Sequence, residues 1–201
     1  MNLIEKATIL HYHRHRIGQF QPGTVEALGW RNKNSQQLRF QALMKVGNLN
    51  GATILDIGCG YGDLKAFLDL HFSDFDYTGI DQMPEFITEA RKRYDGVERT
   101  AFYQTDFSTA ELPQADYVVA SGVMGYRCKN ENFYTDMLCK LYNSARTAFA
   151  FNMLDKNRFP HHDLLVGHDR DEILAFCRVL SPRVECYDDY LEDDFTVLMY
   201  R

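Results

Sequence analysis

Three aspartates of this chain share one setting, at or next to the end of an apolar, β-branched run. Asp56 lies within Thr53-Ile54-Leu55-Asp56-Ile57, Asp81 follows Asp76-Tyr77-Thr78-Gly79-Ile80, and Asp106 follows the run from Val97 to Gln104. Between the first two acids, Gly58, Gly60 and Gly62 alternate directly after the first run. Glycine lets a backbone turn tightly and approach a ligand where any Cβ would clash. Carboxylates accept hydrogen bonds from hydroxyls and amines and attract cations. Acids spaced around a glycine turn describe a pocket for a nucleotide-like ligand.

The ligand's chemistry follows from what the loop lacks. A dinucleotide loop wants a third glycine or alanine at position 63, so that a helix N-terminus can face a pyrophosphate. Position 63 is Asp, and Asp56 sits two residues before the first glycine. These carboxylates repel a diphosphate and attract an ammonium group. S-adenosylmethionine carries an ammonium and a sulfonium and no phosphate. Asp81, followed by Gln82, falls about 20 residues past the loop, where a ribose-binding acid belongs. Asp106 is placed to accept from an adenine amino group, with Phe107 packing on the ring.

Through Ile54-Leu55-Asp56-Ile57-Gly58-Cys59-Gly60-Tyr61-Gly62, Thr78-Gly79-Ile80-Asp81 and Thr105-Asp106-Phe107, the chain resembles the class I S-adenosylmethionine-dependent methyltransferases. The resemblance covers about residues 52–153. It implies an α/β fold, a seven-stranded, mostly parallel Rossmann-like sheet with helices on both faces and an antiparallel C-terminal hairpin strand. It also implies that Gly58 and Gly60 line the methionine end and that Ser121 and Gly122 lie near the sulfonium. Cys59, inside the loop with no histidine placed beside it, reads as a small side chain packing under the cofactor.

The elements that must position these residues are legible in the same stretch. Strand-like runs (53–57, 76–80, 97–104, 115–120 and 147–153) alternate with helix-like ones (64–71, 85–94 and 132–145), the pattern of a parallel sheet covered on both faces. A helix over 170–180 is followed by two runs, 184–187 and 195–200, joined by the acidic stretch 188–194. Residues 1–50 form a helical cover in a single 201-residue domain whose core is 51–201, with one helix expected from Ser35 to about Val46. In this cover Trp30 is a candidate for shielding the cofactor, and Arg39 for meeting its methionine carboxylate.

Composition narrows the function classes. A net charge of −6 argues against a large basic surface, so nucleic acid is not the expected partner. Five cysteines without a Cys-x-x-Cys pair suit a reducing cytoplasm, and neither a disulfide framework nor a metal site is expected. His11, His13 and His15 alternate, and on a helix only His11 and His15 share a face. No apolar run approaches a membrane span.

Methyl transfer requires alignment more than a covalent catalyst, so the acceptor side is harder to read. Candidates for acceptor chemistry are Tyr126, shortly after Ser121-Gly122-Val123-Met124, and His161 and His162, the first bases to test. The expected acceptor is a small molecule. A tRNA or protein acceptor would draw on Arg14, Arg16, Arg31, Lys33 and Arg39, and a non-catalytic cofactor-binding subunit would lack an acceptor cavity.

Overall fold

A computed structural model describes all residues, 1–201. Strands β1 (Ala52–Ile57), β2 (Phe75–Asp81), β3 (Thr100–Gln104), β4 (Ala115–Ala120), β5 (Ala145–Leu154), β6 (Arg183–Tyr187) and β7 (Asp194–Tyr200) form one sheet in the order β3-β2-β1-β4-β5-β7-β6. The first five are parallel, and β7 is antiparallel to both β5 and β6, so the expected hairpin closes one edge. Strand order reverses between β1 and β4. Open α/β sheets bind ligands outside the carboxyl ends of the strands at such a switch.

Six helices accompany the sheet: α1 (Leu3–Gln19), α2 (Lys33–Leu43), α3 (Asp63–Leu68), α4 (Pro84–Arg93), α5 (Phe133–Ser144) and α6 (Arg170–Leu180). Alternation along each strand divides the core. Leu55, Ile57, Phe149 and Phe151 pack toward α5 and α6, while Ile54, Ala148 and Ala150 face α2, α3 and α4. Both faces of the central strands are therefore apolar, which explains their unbroken apolar runs.

Boundaries differ where local turns intervene. The run expected over 97–104 becomes a strand only from Thr100, because Val97 closes a turn on Tyr94 and Arg99 adopts a left-handed φ of 57°. The helix expected to reach His71 ends at Leu68, and the one expected to reach Val46 gives way at Met44 to a 3₁₀ turn. Helix α1 carried no apolar stripe in the sequence. Its start is fixed by a capping box, in which the Asn2 side chain accepts from Glu5 N–H and Glu5 accepts from Asn2 N–H. No helix is long and apolar enough to cross a membrane.

The N-terminal segment is tied to β7 by a buried ion pair. Arg39 Nε and Nη2 both lie 2.8 Å from Asp194 Oδ2, and the Tyr190 hydroxyl donates to the other oxygen of the same carboxylate. Removing one partner of a buried pair strands the other charge away from water. Arg39→Ala is expected to lower stability by about 3–5 kcal/mol in urea unfolding. Arg39→Met combined with Asp194→Asn is expected to recover most of that loss.

Candidate functional site

At the carboxyl ends of β1 and β2 two carboxylates are buried with no Lys or Arg partner. Asp56 accepts a 2.5 Å hydrogen bond from the Tyr77 hydroxyl, and Asp81 accepts from the backbone N–H groups of Gly60 at 3.0 Å and Met83 at 2.8 Å. Burial pushes Asp56 up to about 7; the Tyr77 bond opposes this, and the charges of Asp81 and Asp63 add to it. Burial also pushes Asp81 up to about 6, against the lowering effect of the backbone N–H groups of Met83, Gly60 and Gln82. Such groups favour a cation beside them.

The loop joining β1 to α3 turns through left-handed glycines, and two of them carry the argument. At Gly58 (φ 73°) a Cβ would lie 2.0 Å from Val123 Cγ1, and at Gly60 (φ 54°) 2.7 Å from Leu28 Cδ2. Neither place admits a side chain. Beside the loop runs a first cavity of about 100 Å³, lined by Asp56, Gly58, Cys59 and Gly60, then Asp81 and Gln82, then Asp106 and Phe107. Ser121, Gly122 and Trp30 form another wall. Pockets for nucleoside-sized ligands are commonly about 300 Å³ or more. Leu28 and Trp30 of the N-terminal cover line this space and narrow it.

At the far end Asp106 is already paired. Lys6 of α1 reaches its Oδ2 at 2.5 Å, and the Ser108 backbone and hydroxyl donate to Oδ1. Partial burial would raise this carboxyl, but the bonds from Lys6 and Ser108 win and hold it below its ordinary value. Asp63 is likewise occupied, by Arg93 at 2.6 Å and by Gln36 at 3.0 Å. Cys59 is buried, and burial raises its thiol well above the usual range, which makes it inert packing beneath the loop.

Helix α1 supplies what the sequence did not reveal. Lys6, Ile9 and His13 project from one face of it into the first cavity, while His11 and His15 point to solvent. The stripe mixes a cation, one apolar residue and a titratable ring, so no hydrophobic period marked it.

A second cavity, of about 480 Å³, adjoins the first. Leu28, Trp30, Gly122 and Tyr126 line both. Its own walls include the aromatic rings of Tyr12, Phe20 and Phe159, with Asn152 bonded through Oδ1 to Gly122 N–H. Two of its charges are neutralised locally, Arg31 by Asp193 at 2.9 Å and Arg39 by Asp194. Arg16 lies over the Phe20 ring at 4.6 Å and donates to the Glu26 carbonyl.

The candidates read from sequence divide clearly. Trp30, Asp56, Gly58, Cys59, Gly60, Asp81, Gln82, Asp106, Phe107, Ser121 and Gly122 all line the first cavity, and Tyr126 lines both. Arg39 does not line the first cavity, a correction with a plain cause: the buried Asp194 holds it, and its guanidinium lies over Trp30 at 4.9 Å. His161 lines neither cavity and is exposed, because the Tyr126–Leu165 bridge and the Lys156–His168 bond anchor its loop and leave residue 161 outside. His162 reaches the second cavity, but its Nδ1 accepts from the Leu164 and Leu165 N–H groups.

Comparison with known proteins agrees with this architecture. A family model described as a methyltransferase domain matches residues 55–143. The Mycobacterium tuberculosis protein Rv1506c, whose name places it among methyltransferases, is 33% identical over 156 residues, covering 73% of this chain and 92% of the relative. Among solved structures, magnesium protoporphyrin IX methyltransferase from Synechocystis PCC 6803, solved with S-adenosylmethionine, superposes with a TM-score of 0.72 at 18% identity over 100% of this chain and 98% of its own. DhpI, solved with S-adenosylhomocysteine, gives 0.63 at 18% identity over 94% of this chain and 93% of its own. A paired-strand sheet with a glycine turn and strand-end acids, together with a relative of this identity, leads to one assignment: the chain belongs to the class I S-adenosylmethionine-dependent methyltransferases.

Proposed function

We propose that this protein methylates a small molecule, holding S-adenosylmethionine in the first cavity and the acceptor in the second. The observation that carries the reading is the shared wall, where Leu28, Trp30, Gly122 and Tyr126 face both spaces. A donor on one side of that wall and an acceptor on the other are neighbours, which an in-line transfer needs.

The residues fit the cofactor by charge. Asp56, with Gly58 and Gly60, takes the methionine ammonium, and Asp81 with Gln82 takes the ribose hydroxyls. Asp106 and Phe107 take the adenine, while Ser121, Gly122 and Trp30 lie toward the sulfonium. When bound, the cofactor supplies an electrophilic methyl group. The chain's own part is to align the acceptor and exclude water, which Leu28 and Trp30 do as the cover over the loop.

Small size of the acceptor is supported by how the N-terminal cations are placed. Arg14 pairs with Glu85, Arg31 with Asp193 and Arg39 with Asp194, so the cluster offers little free charge to a phosphate backbone. Five free cysteines suit a reducing cytoplasm.

Three outcomes test the reading. The ammonium binds the ionised form of Asp56 and the ribose hydroxyls donate best to the ionised form of Asp81, and the folded values of these acids, near 7 and 6, lie above the ordinary 3.8. S-adenosylmethionine affinity is therefore expected to rise from pH 5.5 to 8 with release of protons, measured by calorimetry in buffers of different ionisation enthalpy; a flat profile would refute the placement. Asp81→Ala is expected to weaken binding roughly 10- to 100-fold, the worth of charge-assisted hydrogen bonds. Gly60→Val is expected to abolish it, with circular dichroism confirming the fold. Both acids hold protons in the fold that the unfolded chain has already released, so their contribution to stability is fully present below about pH 4 and is lost as pH rises through 7. Asp56→Asn keeps an acceptor for Tyr77 and removes much of that loss, so thermal unfolding at pH 8 is expected to show a gain of roughly 2–4 kcal/mol.

A further inference from the structure

Between the two cavities stands a pair of residues that the fold alone does not require. The Tyr126 hydroxyl lies 2.6 Å from His13 Nε2, a contact between β4's following loop and α1, 113 residues apart. Tyr126 has no other side-chain hydrogen bond and faces both cavities, and His13 faces the first. His13 is only 6% exposed, yet its Nδ1 has no partner. Buried polar atoms left unpaired cost stability.

Hydrogen-bond direction follows from acid strength. Phenol is the stronger acid and neutral imidazole the stronger base, so Tyr126 donates to Nε2 and the proton of His13 sits on Nδ1. The phenol oxygen is then free to accept, and Tyr126 is a residue that both cavities share. The second cavity is also lined by the rings of Tyr12, Phe20, Trp30 and Phe159, flat surfaces suited to an aromatic ring, while its charged residues Arg31, Arg39, Asp193 and Asp194 are paired with one another.

We propose that the acceptor is an aromatic hydroxyl compound, bound in the second cavity, whose proton passes through Tyr126 to His13 as it is methylated. This rests on the assignment of the two cavities to donor and acceptor. The electron pair of the acceptor's O–H bond becomes the new O–CH₃ bond, and the pair of the broken C–S bond stays on sulfur. Tyr126 receives the acceptor's proton while its own moves to Nε2. One positive charge disappears from sulfur and one appears on the imidazole, so the net charge of the enclosed site is unchanged by the transfer. A carboxylate acceptor brings no proton, and such a relay would be idle with it.

The surroundings keep both groups neutral before transfer. Burial, with the charge of Arg16 on the same helix, pushes His13 down to about 4. Burial pushes the Tyr126 phenol far up, helped by Tyr12 and Asp81 and opposed by Arg16. From α4 the Phe86 ring packs edge-on against His13 at 5.1 Å. The relay therefore fills only when a proton is delivered, and His13, which acts through Tyr126, stores it.

Nitrogen NMR on the full chain with labelled histidine, saturated with S-adenosylhomocysteine, tests this directly. His13, assigned by the signal lost in His13→Gln, is expected to show an unprotonated Nε2 and a protonated Nδ1 from pH 5.5 to 8. Tyr126→Phe is expected to shift Nε2 and leave Nδ1 protonated. Added 4-nitrophenol is expected to perturb the same Nε2 signal, and benzoate to leave it unchanged. A protonated Nε2 in the wild type, a signal indifferent to Tyr126→Phe, or a response to benzoate in place of the phenol overturns the relay. Failure of the chain to bind S-adenosylhomocysteine in calorimetry would instead sink the cavity assignment beneath it.

Discussion

Everything at the ligand-binding end of the sheet depends on two carboxylates kept out of water without a cation. Asp56 and Asp81 are buried at the ends of adjacent parallel strands, held by a phenol and by backbone N–H groups. An unpaired buried charge is unfavourable, which is why both acids are pushed toward their protonated forms. The fold tolerates this because parallel pairing fixes their place: Asp56 sits opposite Gly79, and Asp81 opposite Gln104. What these two acids lack is a positively charged partner, since Lys6, the cation in the same cavity, is paired with Asp106.

The contrast with the second cavity is electrostatic. There the acids Asp193 and Asp194 carry arginine partners, so the space is closer to charge-neutral and walled by rings. On the proposed assignment, a carboxylate-rimmed donor space beside a second space with paired charges and several rings separates the two selections a transferase has to make, one by charge and one by shape. Tyr126 and Trp30 belong to both walls, so a change at either is felt on both sides.

How much of this the sequence disclosed depends on how local the signal was. The strands from 52 to 153 and the acids at their ends were legible because each is marked within a few residues by apolar runs, glycines and a terminal carboxylate. Helix α1 was not, since its inward face is Lys6, Ile9 and His13 and its outward face includes the exposed Leu3 and Ile4, the reverse of an amphipathic pattern. Arg39 reads in the sequence as the partner of the methionine carboxylate, whereas in the fold it pairs with Asp194, 155 residues away in β7, and sequence spacing carries no record of that approach. His161 and His162 attracted attention by residue type alone. The histidine that packs between the cavities, His13, was lost among two solvent-facing neighbours of the same kind.

The second cavity was illegible for the same reason, being assembled from four separated stretches of chain that meet only in the fold. Its assembly also explains the narrowness of the first. Leu28 lies over Gly60 and Trp30 over Gly122, at distances where even a Cβ would clash. The N-terminal cover is linked to the rest of the molecule by α1 contacts such as Lys6 with Asp106, and by Arg31 and Arg39 with β7 and the residue before it. Of these, the exposed Arg31 and the half-exposed ends of α1 can yield at small energetic loss, whereas the buried Arg39 pair cannot. Residues near Arg39 are thus fixed to the sheet by a buried pair, while the segment before them is held by the more exposed pairs of Lys6 and Arg31.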